Sequence, residues 1–93
     1  MRILWLEQAV EDLAAARKYI AENNPTAATE MAERIRQGAL MLGDYPAAGR
    51  PGRVPNTREL VMAGTPYILP YRVRADAVEI LRVLHGARRW QQA

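Results

Sequence analysis

The chain has 93 residues and no cysteine. A chain of this length builds one hydrophobic core, so we predict a single domain over residues 1–93. The lack of cysteine excludes disulfide bonds, thiolate metal sites and thiol nucleophiles. The net charge of +3 is unevenly distributed: residues 1–48 carry five basic and seven acidic side chains, whereas residues 49–93 carry eight arginines and three acidic side chains. We therefore expect the carboxyl-terminal half to contact an anionic partner.

The amino terminus, MRILWLEQ, contains an apolar run that is too short for a signal peptide. No stretch of the chain approaches the length of a membrane span. We therefore expect a cytoplasmic protein that does not bind membranes.

The first half of the chain predicts a short strand and a helical hairpin. Residues 2–5 are strand-like, and apolar side chains then recur every three or four residues over residues 7–23, which is typical of a helix. The pair Asn24-Pro25 predicts the start of a second helix, because asparagine caps helices and proline suits their first position. That helix should end before Gly43. In the first helix the residues that recur at this spacing are Val10, Leu13, Arg17 and Ile20. In the second helix the predicted apolar face consists of Ala28, Met31, Ala32, Ile35, Ala39 and Leu42.

The second half predicts a long loop followed by a three-stranded sheet. The segment DYPAAGRPGRVPNT contains three prolines and two glycines and is typical of a surface loop. Strands are expected at residues 58–63, 67–73 and 78–85, with turns at residues 64–66 and 74–77. Because the chain order is β-α-α-β-β-β, we predict an α+β fold in which an antiparallel helical hairpin packs on one face of an antiparallel sheet.

The last hairpin has a predicted register. The turn at residues 74–77 should pair Val73 with Val78, and the next pairs are then Arg72–Glu79 and Tyr71–Ile80. Pro70 lacks the N–H that a ladder needs, so the sheet should have an edge or a bulge at this point. The predicted core face consists of Tyr67, Leu69, Tyr71, Val73, Val78, Ile80 and Leu84.

Four further segments follow the first strand in a characteristic order: the helix break NNP, the passage GRPGRVPNTREL, the strand PYILPYRV and the ending VLHGARRW. None is specific alone. In this order and spacing they resemble the RelE/ParE superfamily of bacterial type II toxins, and the resemblance covers nearly the whole chain.

The resemblance implies one of two activities. RelE-like members cut messenger RNA on the ribosome, whereas ParE-like members inhibit DNA gyrase and so block replication. Members of both kinds are neutralised by a cognate antitoxin. We predict the ParE-like activity. The expected partners are a ParD-like antitoxin and DNA gyrase, alone or in its DNA complex, with no cofactor, no metal and no small-molecule substrate.

The alternative is a RelE-like, ribosome-dependent mRNA endoribonuclease. The resemblance places Ile68 where RelE-like members carry a catalytic arginine, and the family's carboxyl-terminal tyrosine would fall beyond Ala93. Arg88 does match a basic position after the last strand, and His85 lies near a histidine that other nuclease members use. In the ParE-like interpretation no residue is catalytic, whereas in the alternative His85 and Arg88 would be. A third interpretation is an inactive member that only binds its antitoxin.

Two binding surfaces are expected. Arginine's planar guanidinium suits carboxylate or phosphate, so the target-binding surface is predicted as a cationic patch beside an aromatic side chain. It consists of Arg58, Arg82, His85, Arg88, Arg89 and Trp90. The antitoxin-binding surface is predicted from apolar side chains, namely Trp5, Leu6, Tyr19 and Met31. Two of these residues could have a structural role instead: Trp90 would cap the sheet, and Met31 would belong to the core. Arg82 has no partner in the predicted sheet.

Overall fold

The computed structural model describes residues 1–86 and has the predicted α+β architecture. The chain begins with strand β1, Arg2–Trp5, and continues with helices α1, Glu7–Ala21, and α2, Pro25–Asp44. The remaining strands are β2 (Arg50–Pro51), β3 (Arg58–Val61), β4 (Tyr67–Arg74), β5 (Ala77–Ile80) and β6 (Leu84–His85).

The start of α2 is confirmed in detail. The Asn24 side chain accepts a hydrogen bond of 3.0 Å from the Ala27 N–H, and Pro25 occupies the first turn. The predicted stop at Gly43 is wrong, because α2 continues through this residue, whose carbonyl accepts a hydrogen bond of 3.0 Å from the Met1 ammonium. No helix in the described part of the chain is long and apolar enough to cross a bilayer.

The helical hairpin packs through small side chains. In α2 the predicted face is buried at Ala28, Met31, Ile35, Ala39 and Leu42. In α1 the buried stripe runs instead through Ala9, Leu13, Ala16 and Ile20. Val10 was predicted on the apolar face but is 51% exposed. Ala9, whose small side chain allows close approach, takes the buried position in its place.

The sheet has the strand order β1-β5-β4-β3-β2, and β6 pairs with β4 beyond the end of β5. The pairing of β1 with β5 is parallel, and the other pairings are antiparallel. The sequence predicted neither this parallel pairing nor β2, which forms inside the long loop. The core lies between the helices and one face of the sheet, where Leu69, Tyr71, Val78 and Ile80 are fully buried.

The predicted register of the last hairpin is confirmed. Val73 lies opposite Val78, and the next pairs are Arg72–Glu79 and Tyr71–Ile80. Arg72 and Glu79 form an ion pair of 2.5 Å. The predicted place of Val73 in the core is wrong: it is 41% exposed because it lies at the turn end of the hairpin.

A bulge breaks the last predicted strand into β5 and β6. Tyr71 of β4 lies opposite Ile80 of β5. Four residues earlier in β4, Tyr67 lies opposite His85, which is five residues beyond Ile80. The extra residue reverses the faces of the side chains that follow it. His85 therefore joins Tyr67 on the side that faces the helices, whereas Leu84 pairs with Ile68 and is buried, at 8% exposed.

The bulge lies beside Pro70, as the missing N–H predicted. The Pro70 carbonyl accepts a hydrogen bond of 2.9 Å from the Leu81 N–H. In an antiparallel strand the N–H and C=O of one residue point to the same neighbour, so the ring nitrogen of Pro70 also faces the bulged side. No ladder bond to β3 is lost, and this is why β4 tolerates proline in the middle of the sheet.

The long loop between α2 and β3 is held on the sheet by buried polar groups. The Tyr71 hydroxyl donates to the Pro46 carbonyl at 2.7 Å and accepts from the Gly49 N–H at 2.8 Å. The Glu59 carboxylate, whose side chain is 1% exposed, accepts a hydrogen bond of 3.1 Å from the Arg50 guanidinium. The loop is therefore at the surface, as predicted, but it is firmly anchored.

Candidate functional site

A cleft of about 570 Å³ lies between α1 and the bulged end of the sheet. Helix α1 contributes one stripe of side chains, spaced three and four residues apart, in which two alanines leave room above the sheet. The stripe consists of Asp12, Ala15, Ala16 and Tyr19, and the sheet side consists of Tyr67, Arg82, Val83, Leu84 and His85.

A second cleft of about 420 Å³ lies between the helices and the turn from β3 to β4. Three aromatic side chains line both clefts, and we call them the aromatic wall: Tyr19, Tyr67 and His85. The Tyr67 and His85 rings meet edge to face, with centroids 5.6 Å apart and planes inclined by 74°. The Tyr19 side chain is 72% exposed, so the wall offers an open contact surface.

Asp12 closes one end of the first cleft through a set of charge-assisted hydrogen bonds. Its carboxylate accepts bonds of 2.7 and 3.2 Å from Nε and Nη2 of Arg82 and of 3.1 Å from the Val83 N–H. Gln8 donates a further bond at 3.3 Å. Burial of the carboxylate raises its pKa, but the hydrogen bonds from Arg82, Val83 and Gln8 outweigh this effect, so the pKa of Asp12 lies below its ordinary value.

The ion pair between Asp12 and Arg82 limits the chemistry that the first cleft can perform. A general acid or base works best when its pKa is near the working pH, and the lowered pKa of Asp12 makes it a poor candidate. The Arg82 guanidinium is already neutralised by Asp12. Among residues 1–86 no group of three metal-binding side chains occurs. His85 and the tyrosine hydroxyls are the remaining groups in the described lining that exchange protons.

The sequence profile described as "ParE toxin of type II toxin-antitoxin system, parDE" matches residues 3–90. The chain belongs to this ParE toxin family.

Individual relatives also carry toxin names. The chain is 46% identical over 91 residues to "Putative toxin Y4kP" of Sinorhizobium fredii, covering 98% of this chain and 94% of that protein. It is 39% identical over 87 residues to "Toxin RelE2" of Caulobacter vibrioides, covering 94% and 97% of the two proteins. A structure of the "Chromosomal ParDE TA system from P. aeruginosa" superposes with a TM-score of 0.84 and 28% identity, covering 91% of this chain and 95% of that chain.

Two arginines of the predicted target-binding surface, Arg58 and Arg82, bind other groups of this ParE-family chain. Arg82, for which the predicted sheet offered no partner, pairs with Asp12 of α1. The Arg58 guanidinium donates hydrogen bonds to the carbonyls of Gly49 at 2.8 Å and Ala47 at 3.4 Å, and it thereby holds the long loop. Both side chains have structural partners, and their contact with a target stays a prediction.

Of the other members of that surface, the structure describes His85, which lies in β6. His85 is exposed and lines both clefts beside Tyr67. Arg88, Arg89 and Trp90 lie outside the described residues, so their part in target binding stays a prediction.

The four residues of the predicted antitoxin-binding surface occupy different environments. Tyr19 is highly exposed, whereas Met31 is 7% exposed and belongs to the core, which confirms its structural role. Both line the second cleft. Trp5 and Leu6 are half-buried at the opposite end of α1, and Trp5 packs against the core. Of the four, Tyr19 is the side chain that offers a large apolar contact to a partner.

The sequence did not single out Asp12. A helical stripe with an acidic residue, two alanines and a tyrosine at intervals of three and four would have identified the α1 side of the cleft. Tyr67 was interpreted as a core side chain, and it is 8% exposed, but its ring also supports His85.

Proposed function

We propose that this chain is the toxin of a type II pair which acts in the cytoplasm by binding DNA gyrase, alone or in its DNA complex. We further propose that a ParD-like antitoxin silences it. The similarity to the toxin-bearing ParDE structure supports the antitoxin as partner. The choice of gyrase follows from the ParE family profile and from the state of the first cleft.

The observation that carries the choice is the ion pair between Asp12 and Arg82. Cleavage of RNA through its 2′-hydroxyl needs a group that accepts a proton, a group that donates one, and cations that stabilise the charged transition state. In this cleft the carboxylate and the guanidinium neutralise each other at 2.7 Å. This arrangement supports a protein that acts by binding rather than by breaking a phosphodiester bond.

The second candidate function is the RelE-like mRNA endoribonuclease. Its supporting observation is the exposed His85 imidazole, oriented by the Tyr67 ring in an open cleft, because histidine is the commonest general acid or base at neutral pH. A relative at 39% identity also carries the name "Toxin RelE2".

One experiment separates the two functions. The chain is expressed alone in bacteria, and plasmid topology, the DNA-damage response and mRNA integrity are followed in the same cultures. We expect relaxed or cleaved plasmid and a damage response before any change in mRNA. Purified chain should likewise inhibit supercoiling by purified gyrase.

Early cleavage of ribosome-bound mRNA with normal supercoiling would overturn the gyrase proposal, and its loss in His85→Gln would establish the nuclease. A well-folded chain that causes no growth arrest would favour an inactive member that only binds its antitoxin.

A further inference from the structure

We propose that Asp12 is a positioning residue for the candidate site, because it holds the bulge that places His85 in the cleft. The proposal rests on the proposed function only for the consequence that this placement is needed for toxicity. The structural part concerns the described residues alone.

The bulge decides which side chain lies beside Tyr67. In the observed register His85 lies opposite Tyr67, and Leu84 lies opposite Ile68. If β5 continued without the extra residue, its register would bring Leu84 opposite Tyr67. His85 would then leave the helix-facing side, and both clefts would lose one member of the aromatic wall.

The bulge also carries an ion pair to α1. Without the bulge, Arg82 would lie opposite Leu69 on the core face. In the observed bulge Arg82 pairs with Asp12 of α1, with bonds of 2.7 and 3.2 Å. This pair links the bulged segment to the helix.

Asp12 also binds the bulge through the main chain. Its Oδ2 accepts the Val83 N–H at 3.1 Å, a donor that the continuous ladder would otherwise use. The Asp12 side chain is 14% exposed, so water does not easily replace it as the acceptor. The Asp12 carboxylate thus accepts hydrogen bonds from the Arg82 side chain and from the backbone N–H of the next residue, Val83.

The test removes both charges and keeps the fold. Replacing a buried ion pair by apolar residues is often neutral for stability, so the double variant Asp12→Leu with Arg82→Leu should fold. We expect it to adopt the continuous register. The nuclear Overhauser contact between the Tyr67 and His85 rings should disappear, and a contact between Tyr67 and Leu84 should replace it. The amount of chain needed for growth arrest should rise by about tenfold or more.

The matched control is Glu33→Leu with Arg36→Leu, which removes an exposed ion pair of α2 and makes the same change in residue types. It should keep the Tyr67–His85 contact and the toxicity of the wild type. A double variant at Asp12 and Arg82 that retains the Tyr67–His85 contact would overturn the proposal, and so would one that loses the contact but stays fully toxic. If the wild type does not inhibit gyrase, the proposed function fails, while the ring contacts still decide whether Asp12 holds the bulge.

Discussion

Asp12 gives the protein a component of stability that depends on pH. Burial raises the pKa of this carboxylate, but hydrogen bonds from Arg82, Val83 and Gln8 lower it further than burial raises it. A group whose pKa is lowered by folding stabilises the folded state above its unfolded pKa. That contribution is lost as the pH falls through the lower, folded pKa.

The corresponding variant is Asp12→Asn, which keeps the shape of the side chain but cannot ionise. At neutral pH we expect its free energy of unfolding to fall by about 1.5–3 kcal/mol, because the bonds to Arg82 lose one charge. The difference from the wild type should shrink below about pH 4, where Asp12 becomes protonated in the unfolded chain. Urea unfolding over this pH range measures both effects. Glu11→Gln, at an exposed neighbouring position, is the control and should leave the pH dependence unchanged.

Tyr19 is the residue on which antitoxin binding should depend most. Its side chain is 72% exposed and lines both clefts, and exposed tyrosines often dominate interfaces. We expect Tyr19→Ala to weaken binding of the cognate antitoxin by about tenfold or more, measured by calorimetry with the purified pair. Tyr45→Ala removes a tyrosine that is 65% exposed beyond α2, and it should bind like the wild type. Equal affinities of the two variants would place the antitoxin elsewhere.

The sequence predicted the contacts of single residues well where both partners are close together in the chain. The cap at Asn24 and the pair Arg72–Glu79 follow from neighbours a few positions apart. The pair of Asp12 and Arg82 spans 70 positions and joins α1 to the bulge. No local pattern contains that information, so the candidate site was predicted at His85 but not at Asp12.

At the scale of elements, one of the groups that anchor the long loop after α2 is the buried hydroxyl of Tyr71. Tyr71→Phe keeps the ring in the core but leaves the buried Gly49 N–H without its acceptor, a loss of about 1–3 kcal/mol. We expect the melting temperature to fall by at least about 4 °C for a domain of this size. Toxicity at permissive temperature should not change, because the loop lies away from the clefts. Tyr45→Phe removes an exposed hydroxyl and should melt like the wild type, and a similar drop there would show that the loop anchor is unimportant.

The elements themselves were predicted more fully than their connections. Periodicity located both helices, and Pro70 predicted an edge or a bulge at the place where the bulge is found. Proline indicates that a ladder is interrupted, but it does not say which strand carries the extra residue, and this is why the face of His85 was not predicted. The two-residue strand β2 and the parallel pairing of β1 depend on contacts between distant segments.

At the scale of the whole molecule, three of the six arginines that the structure describes in the second half form ion pairs. Arg50, Arg72 and Arg82 each form an ion pair, and Arg58 binds carbonyls. Within residues 1–86 the exposed arginines of this half that form no ion pair are Arg53 and Arg74. Arg74 ends β4 about 23 Å from Tyr67, which begins it at the clefts.

If toxicity depends on charge at a particular place, the same change in net charge at two different places should have different effects on toxicity. Reversing Arg88 and Arg89 to glutamate should abolish growth arrest and gyrase inhibition while the circular dichroism spectrum stays native. Reversing Arg53 and Arg74 to glutamate changes the net charge by the same amount and should leave both activities intact. Loss of activity in both variants would mean that only the overall charge matters.

The parallel pairing of β1 with β5 also has a consequence for synthesis. The first strand finds its neighbour only after residues 77–80 have been translated, because Arg2 pairs with Ala77 and Trp5 with Ile80. Until then a growing chain contains a completed helical hairpin beside an unfinished sheet, and such long-range pairing forms late. Messages truncated before this point would yield products that cannot close the sheet and that cellular proteases would remove. The order of the strands thus delays completion of the sheet until β5 has been synthesised.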